Sequence, residues 1–138
     1  MGKPLVELLD GFLVLRTQKG TSLAGKKALV AEWYEELVRK AVPGLVEKWQ
    51  PTLGVQVKGI FVRPMKTRWG TCHPARATIR LNADLAQKPF ACLEYVVVHE
   101  MVHLLEPSHN ARYHALMGRF MPDWKTTRKQ LKPVPTRP

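Results

Sequence analysis

The run Val96-Val97-Val98-His99-Glu100-Met101-Val102-His103-Leu104-Leu105 constrains this chain more than any other stretch. Its flanks are apolar and uncharged and no proline interrupts it, so it is expected to form a buried helix, a rigid element on which a site can be held. His99 and His103 stand four apart, which sends both imidazoles from one helix face, one turn apart. Two neutral imidazoles so placed can grip one Zn²⁺ through bonds of about 2.0–2.1 Å. Glu100 sits beside the first histidine, where its carboxylate can reach a water on the metal without becoming a ligand. This is the arrangement a zinc hydrolase needs. With five histidines in 138 residues, a chance His-Glu-x-x-His is expected in roughly 1% of such chains.

A third histidine strengthens the pattern. Pro107 cannot continue a helix, because it lacks an N–H and clashes with the preceding turn. The helix is therefore predicted to run from Pro89 to near Glu106, with Ser108 capping a new one over about 109–121. A turn there brings His109 back towards His99 and His103. Three protein ligands and one open position make a catalytic zinc site, whereas four closed ligands make a structural one. The expected cofactor is one catalytic Zn²⁺.

Charge is the second feature. The net charge is +11, from 22 Lys and Arg against 11 Asp and Glu. No acidic residue occurs between Glu47 and Asp84, and Asp123 alone opposes Arg112, Arg119, Lys125, Arg128, Lys129, Lys132 and Arg137. Such a field attracts acidic partners, so nucleic acid is a candidate partner beside a peptide or protein substrate. The same charge also fits a merely well-solvated basic surface, and no nucleic-acid-binding fingerprint accompanies it. Two cysteines, Cys72 and Cys92, form no Cys-x-x-Cys pair and are expected to be buried free thiols, which suits a reducing cytoplasm. The apolar stretch from Leu5 to Leu15 is broken by Glu7 and Asp10 and is too short to span a bilayer, so a cytoplasmic chain with no membrane association is expected.

Along the chain, residues 1–20 look extended or irregular and form a short N-terminal segment. Residues 21–138 are expected to be one domain. Thr21 or Ser22 can cap a helix through Ala28, Leu29, Trp33, Leu37 and Val38, kinked or broken at Pro43-Gly44 and resumed to Pro51. Strands are predicted over 55–63, 67–72 and 77–82, with His73 to Arg76 as a hairpin loop. Thr78, Arg80 and Asn82 then share one face and Ile79 and Leu81 the other. Asp123 can cap a last short helix before a Pro-rich tail at 133–138. Helix, three strands, zinc helix, helix: the fold class is α+β.

Four ordered blocks carry a family resemblance: Lys66-Thr67-Arg68-Trp69-Gly70-Thr71-Cys72, Ile79-Arg80-Leu81-Asn82, Tyr95 to His103, and His109. Together they resemble the YgjP-like metallopeptidases, relatives of the SprT-like zinc proteases. The resemblance implies a minimal zincin-like domain, with a small antiparallel three-stranded sheet over the active-site helix and a second helix giving the third ligand. It implies His99, His103 and His109 as ligands and Glu100 as the catalytic carboxylate. This chain has Thr71 where the family's string has Ser, and a shorter N-terminal part.

Zinc-assisted peptide hydrolysis is thus the expected activity, with Glu100 as general base. A developing oxyanion needs a further donor, for which Arg68, Tyr113 and His114 are candidates; the last two also fit simple packing of the last helices. The strand carrying Thr78 and Arg80 is expected to pair with an extended peptide, as sheet edges do. Two alternatives stand beside this reading. The same three-His spacing occurs in metal-dependent endoribonucleases, and a zinc-stabilised nucleic-acid-binding module would also use the basic surface. Glu100 favours peptide chemistry over both. Oligomeric state is not legible.

Overall fold

Ser22 adopts extended backbone and its Oγ accepts the Gly25 N–H at 3.0 Å, which opens the long helix α1 (Leu23–Leu53). The computed structural model describes residues 5–9 and 12–16 as backbone strands and residues 20–132 throughout. Of the kink or break expected at Pro43-Gly44, the break does not occur: α1 runs through both Pro43 and Pro51. Pro43 deletes a backbone hydrogen bond and crowds the preceding turn, at about 3 kcal/mol. Val38, Val42, Leu45 and Val46 on either side of it are buried. At about 1.5–3 kcal/mol for each fully buried side chain, that packing outweighs the proline. Gly54 ends the helix in the left-handed region (φ 71°), where its N–H reaches the Gln50 carbonyl at 2.8 Å. The solvated face carries the expected ion pairs, Glu35–Arg39 at 2.6 Å and Glu36–Lys40 at 3.9 Å.

The N-terminal segment is more regular than its sequence suggested. Strands β1 (Leu5–Leu9) and β2 (Phe12–Arg16) pair antiparallel, from Leu5 opposite Arg16 to Leu9 opposite Phe12. They form a two-stranded sheet of their own. The Pro-rich tail read at 133–138 lies outside the described residues.

Strands β3 (Gly59–Arg63), β4 (Gly70–His73) and β5 (Thr78–Asn82) form the main sheet, in the order β3-β5-β4. The α+β class holds, but the three-stranded sheet is mixed rather than wholly antiparallel. β5 pairs antiparallel with β4, as the 73–76 hairpin requires, and parallel with β3. The reason is topological. After β3 the chain reverses and lays β4 one strand-width away, and β5 fills the gap; a strand between two opposed neighbours must run parallel to one of them. Because β5 is central, its backbone is not a free edge. The expected pairing of substrate with the Thr78–Arg80 strand is therefore excluded.

One face of this sheet presents Ile60, Val62, Ile79, Leu81, Cys72 and Gly70, of which Val62, Ile79 and Leu81 are buried. The helix α2 (Phe90–Val102) lies in the centre of the core, with Cys92, Val97, Val98, Met101 and Val102 wholly buried. Trp49 Nε1 and Lys48 Nζ of α1 both donate to the Glu94 carboxylate, at 2.8 and 2.7 Å, and so tie the two helices together. Helices α3 (Ala111–Phe120) and α4 (Trp124–Leu131) complete the molecule. Asn110, not Ser108, caps α3, its Oδ1 accepting the Tyr113 N–H at 3.0 Å. Asp123 precedes α4 but makes no side-chain cap bond. Among the described residues no helix is long and apolar enough to cross a membrane.

Candidate metal centre

The buried apolar run places its histidines at the end of α2, and the way that helix ends decides their geometry. α2 stops at Val102, earlier than the sequence suggested, and tightens: the His103 N–H reaches back only three residues, to the Glu100 carbonyl at 3.2 Å. The His99 carbonyl is thereby released from the helix ladder and accepts the Tyr113 hydroxyl at 3.1 Å, which pins α3 to α2. A loop over 103–110 then returns the chain. It is held by Arg112, whose guanidinium donates to the Leu105 carbonyl at 3.1 Å and pairs with Glu106 at 3.7 Å. The Glu106 carboxylate also accepts the Ser108 N–H at 3.3 Å. Hydrogen bonds from Asn110 and Ser108 and the Arg112 charge hold that carboxyl below its usual range.

The loop brings His109 to the other two rings. The ligand atoms of His99, His103 and His109 all lie within 4.8 Å of one another. Their ring centroids are 5.1, 5.4 and 4.6 Å apart, and the Tyr113 ring touches all three, stacking on His103 at 4.6 Å. The rings' own hydrogen bonds fix which nitrogen is free. His103 Nδ1 lies 3.1 Å from the Glu106 carbonyl oxygen. That oxygen can only accept, so Nδ1 carries the proton and Nε2 keeps its lone pair. His99 Nδ1 meets the Glu100 carboxylate at 3.1 Å, with the same consequence. Burial lowers the His103 pKa, against the pull of the Glu100 charge. His109, open at one edge, is lowered by its buried side and by the neighbouring His103 and His99. Both shifts favour the neutral ring, the form that offers a lone pair to a metal. As a donor set, three neutral imidazoles suit Zn²⁺.

Glu100 is 4% exposed and sits under the first residue of β4. A Cβ on Gly70 would meet Val96 Cγ1 at 2.8 Å and the Glu100 side chain at 3.0 Å, so only glycine lets β4 lie this close. Burial, with the Glu100 charge added, pushes the Cys72 thiol up to about 11, so it stays protonated at neutral pH. Cys72 and Cys92 are free thiols.

The remaining candidates separate. Arg68 lines a cleft of about 920 Å³ together with His99 and Glu100. The Tyr113 hydroxyl is already committed to the His99 carbonyl. Tyr113 is buried, its pKa is raised by burial and by the Glu100 charge, and it supports the histidines from behind. The exposed His114 stacks on Trp124 at 5.7 Å with an interplanar angle of 4°. Thr78 and Arg80 line a different hollow, with Phe61 and Arg76. One residue escaped the sequence reading. Asn82 is wholly buried, and its Nδ2 donates to the Met65 and Arg68 carbonyls at 3.0 and 2.9 Å. It therefore shapes the loop that carries Arg68. Its place in the second quoted block, at the end of a strand, was the available signal.

Comparison with known proteins places the fold and the family. Two solved structures are similar to the chain, both described as metallopeptidase zymogens. Abylysin of Pyrococcus abyssi superposes with a TM-score of 0.59 at 21% identity, over 65% of this chain and 90% of that one. Jannalysin of Methanocaldococcus jannaschii gives 0.56 at 18% identity, over 65% and 92%. At such identities the likeness is one of fold. No curated protein sequence matches the chain. The YgjP-like metallopeptidase domain model matches residues 3–133. The class is therefore a metal-dependent peptidase of small α+β fold. Within that class, the chain belongs to the YgjP-like metallopeptidase family.

Proposed function

We propose that His99, His103 and His109 hold one catalytic Zn²⁺ and that Glu100 is the general base of peptide-bond hydrolysis. The observation that carries this reading is the convergence of three imidazoles beside a buried carboxylate, with His99 and Glu100 lining an open cleft. When bound, zinc would supply Lewis-acid polarisation of the scissile carbonyl and acidify water. Glu100 takes the proton of the attacking water and delivers it to the leaving amine, a role worth typically about 10²–10⁴-fold. Its burial against Gly70 and Val96 fixes the carboxylate and keeps bulk water from it. Arg68 is the oxyanion donor we favour, because it shares the cleft with Glu100 while the Tyr113 hydroxyl is occupied. Family membership favours this reading over the endoribonuclease and the zinc-stabilised nucleic-acid module. The free thiols fit a reducing, cytoplasmic setting.

The test is cleavage of an unfolded protein by the zinc-loaded chain beside Glu100→Gln, at matched metal content, with an RNA substrate in parallel. Glu100→Gln is expected to lose about 10²–10⁴-fold in turnover while keeping its metal. RNA cleavage that survives where protein cleavage is absent would replace the peptidase reading.

A further inference from the structure

The cleft over His99 and Glu100 has a floor and walls of different character. Trp69, Tyr95, Val96, Trp124 and Leu131 make much of its lining apolar. Around them stand Arg68, Lys125, Arg128, Lys129 and Lys132, while Glu100 is the one acidic lining residue. Four of the five cations belong to α4 or the residue that follows it. Elsewhere the described surface neutralises several of its cations: Arg39, Lys48, Arg63 and Arg112 all pair with glutamates. None of the five in the cleft forms an ion pair with a described acidic residue. The Arg128 charge acts on both Tyr95 and Tyr113, the two rings packed against His99. Cations along a concave, partly apolar wall focus their field into it and raise the local concentration of anions.

We propose that this cleft selects substrate: the chain prefers peptides with Asp or Glu beside the scissile bond, held by Lys125, Arg128 and Lys129. The inference rests on the peptidase reading of His99 and Glu100, and it names the substrate class that site would take. Peptide fits better than nucleic acid for two reasons. The volume, about 920 Å³, lies within the roughly 300–1,000 Å³ that encloses a small ligand. A duplex needs instead an open basic face to meet its phosphates. The aromatic and aliphatic lining suits the apolar part of a peptide, with the acidic group at the cationic rim.

The experiment measures binding and turnover separately. Labelled peptides that differ only by Glu or Gln at one position are titrated by fluorescence anisotropy into the zinc-loaded Glu100→Gln variant. The Glu peptide is expected to bind about 10-fold tighter at low salt, shrinking below about 3-fold in 0.5 M salt as the charges are screened. Adding Lys125→Gln, Arg128→Gln and Lys129→Gln together, all exposed helix positions where Gln is tolerated, is expected to bring the ratio near one. Equal binding of both peptides, or a preference that survives the triple change, overturns the assignment. A single-stranded oligonucleotide that outcompetes the Glu peptide, and loses its binding in the triple variant, also overturns it. Turnover by the wild-type chain separates the two readings. Cleavage of both peptides without preference sinks the cleft assignment and leaves the peptidase. Charge-dependent binding without any cleavage supports the cleft and removes the catalytic role of Glu100.

Discussion

Glu100 and Lys129 line the same cleft, yet they are held in opposite ways. Glu100 is 4% exposed, lies against the Gly70 backbone and hydrogen-bonds His99 at 3.1 Å. Lys129 is exposed on α4 and pairs with no described acid. The floor is fixed by close packing between distant segments, so a change there disturbs fold and chemistry together. Along the wall, charge is carried on solvated side chains that the fold does not need. On the proposed reading, reaction and selectivity sit on parts of the molecule that can change independently.

Three changes sharpen that contrast. The largest expected effect is on the floor. Gly70→Ala forces a methyl against Val96 and Glu100, and overpacking of this kind costs about 1–3 kcal/mol. Peptide turnover is expected to fall with it, and Val96→Ala in the same chain should restore part of the stability. Chemical denaturation of the single and double variants checks this, and additive losses would show that Gly70 and Val96 do not compete for one space. A smaller effect comes from pH. The folded pKa values of His103 and His109 are lowered from 6.5. As pH falls below 6.5, the unfolded metal-free chain takes up protons that the folded chain resists, so stability is lost. The denaturation midpoint should therefore drop between pH 7.5 and 5.5, above the range of the lowered carboxyls Glu94 and Glu106 (ordinary value 4.5). A flat profile there would mean the imidazoles are not constrained by burial. The smallest effect belongs to the wall: Lys129→Gln should leave stability within about 0.5 kcal/mol, measured by the same denaturation.

Which parts of this were legible beforehand follows from how local each signal is. His99 and His103 share one helix face, and their four-residue spacing reveals that without reference to the rest of the chain. His109 needed only one loop and a proline to be placed. The chain path of the sheet was not legible, because three short strands with one hairpin fit more than one order, and the mixed order depends on which edge β3 takes. α1 crosses Pro43 because buried neighbours outweigh it, a tertiary effect that propensity does not contain. Alternation puts Asn82 on the face of Thr78 and Arg80, opposite Ile79 and Leu81; it is buried there against the 64–69 connection, whose Met65 and Arg68 carbonyls it satisfies. The basic character of 112–137 was plain in the sequence. That α4 lays part of this charge along the cleft beside Glu100 is a packing fact.

X-ray absorption at the zinc edge of the loaded chain tests the central claim most directly. The account predicts three imidazole nitrogens at about 2.0–2.1 Å and one further light ligand, with one nitrogen lost in His109→Ala. A sulfur at about 2.3 Å, which would bring Cys72 or Cys92 onto the metal, or a closed set of four protein ligands, would contradict it.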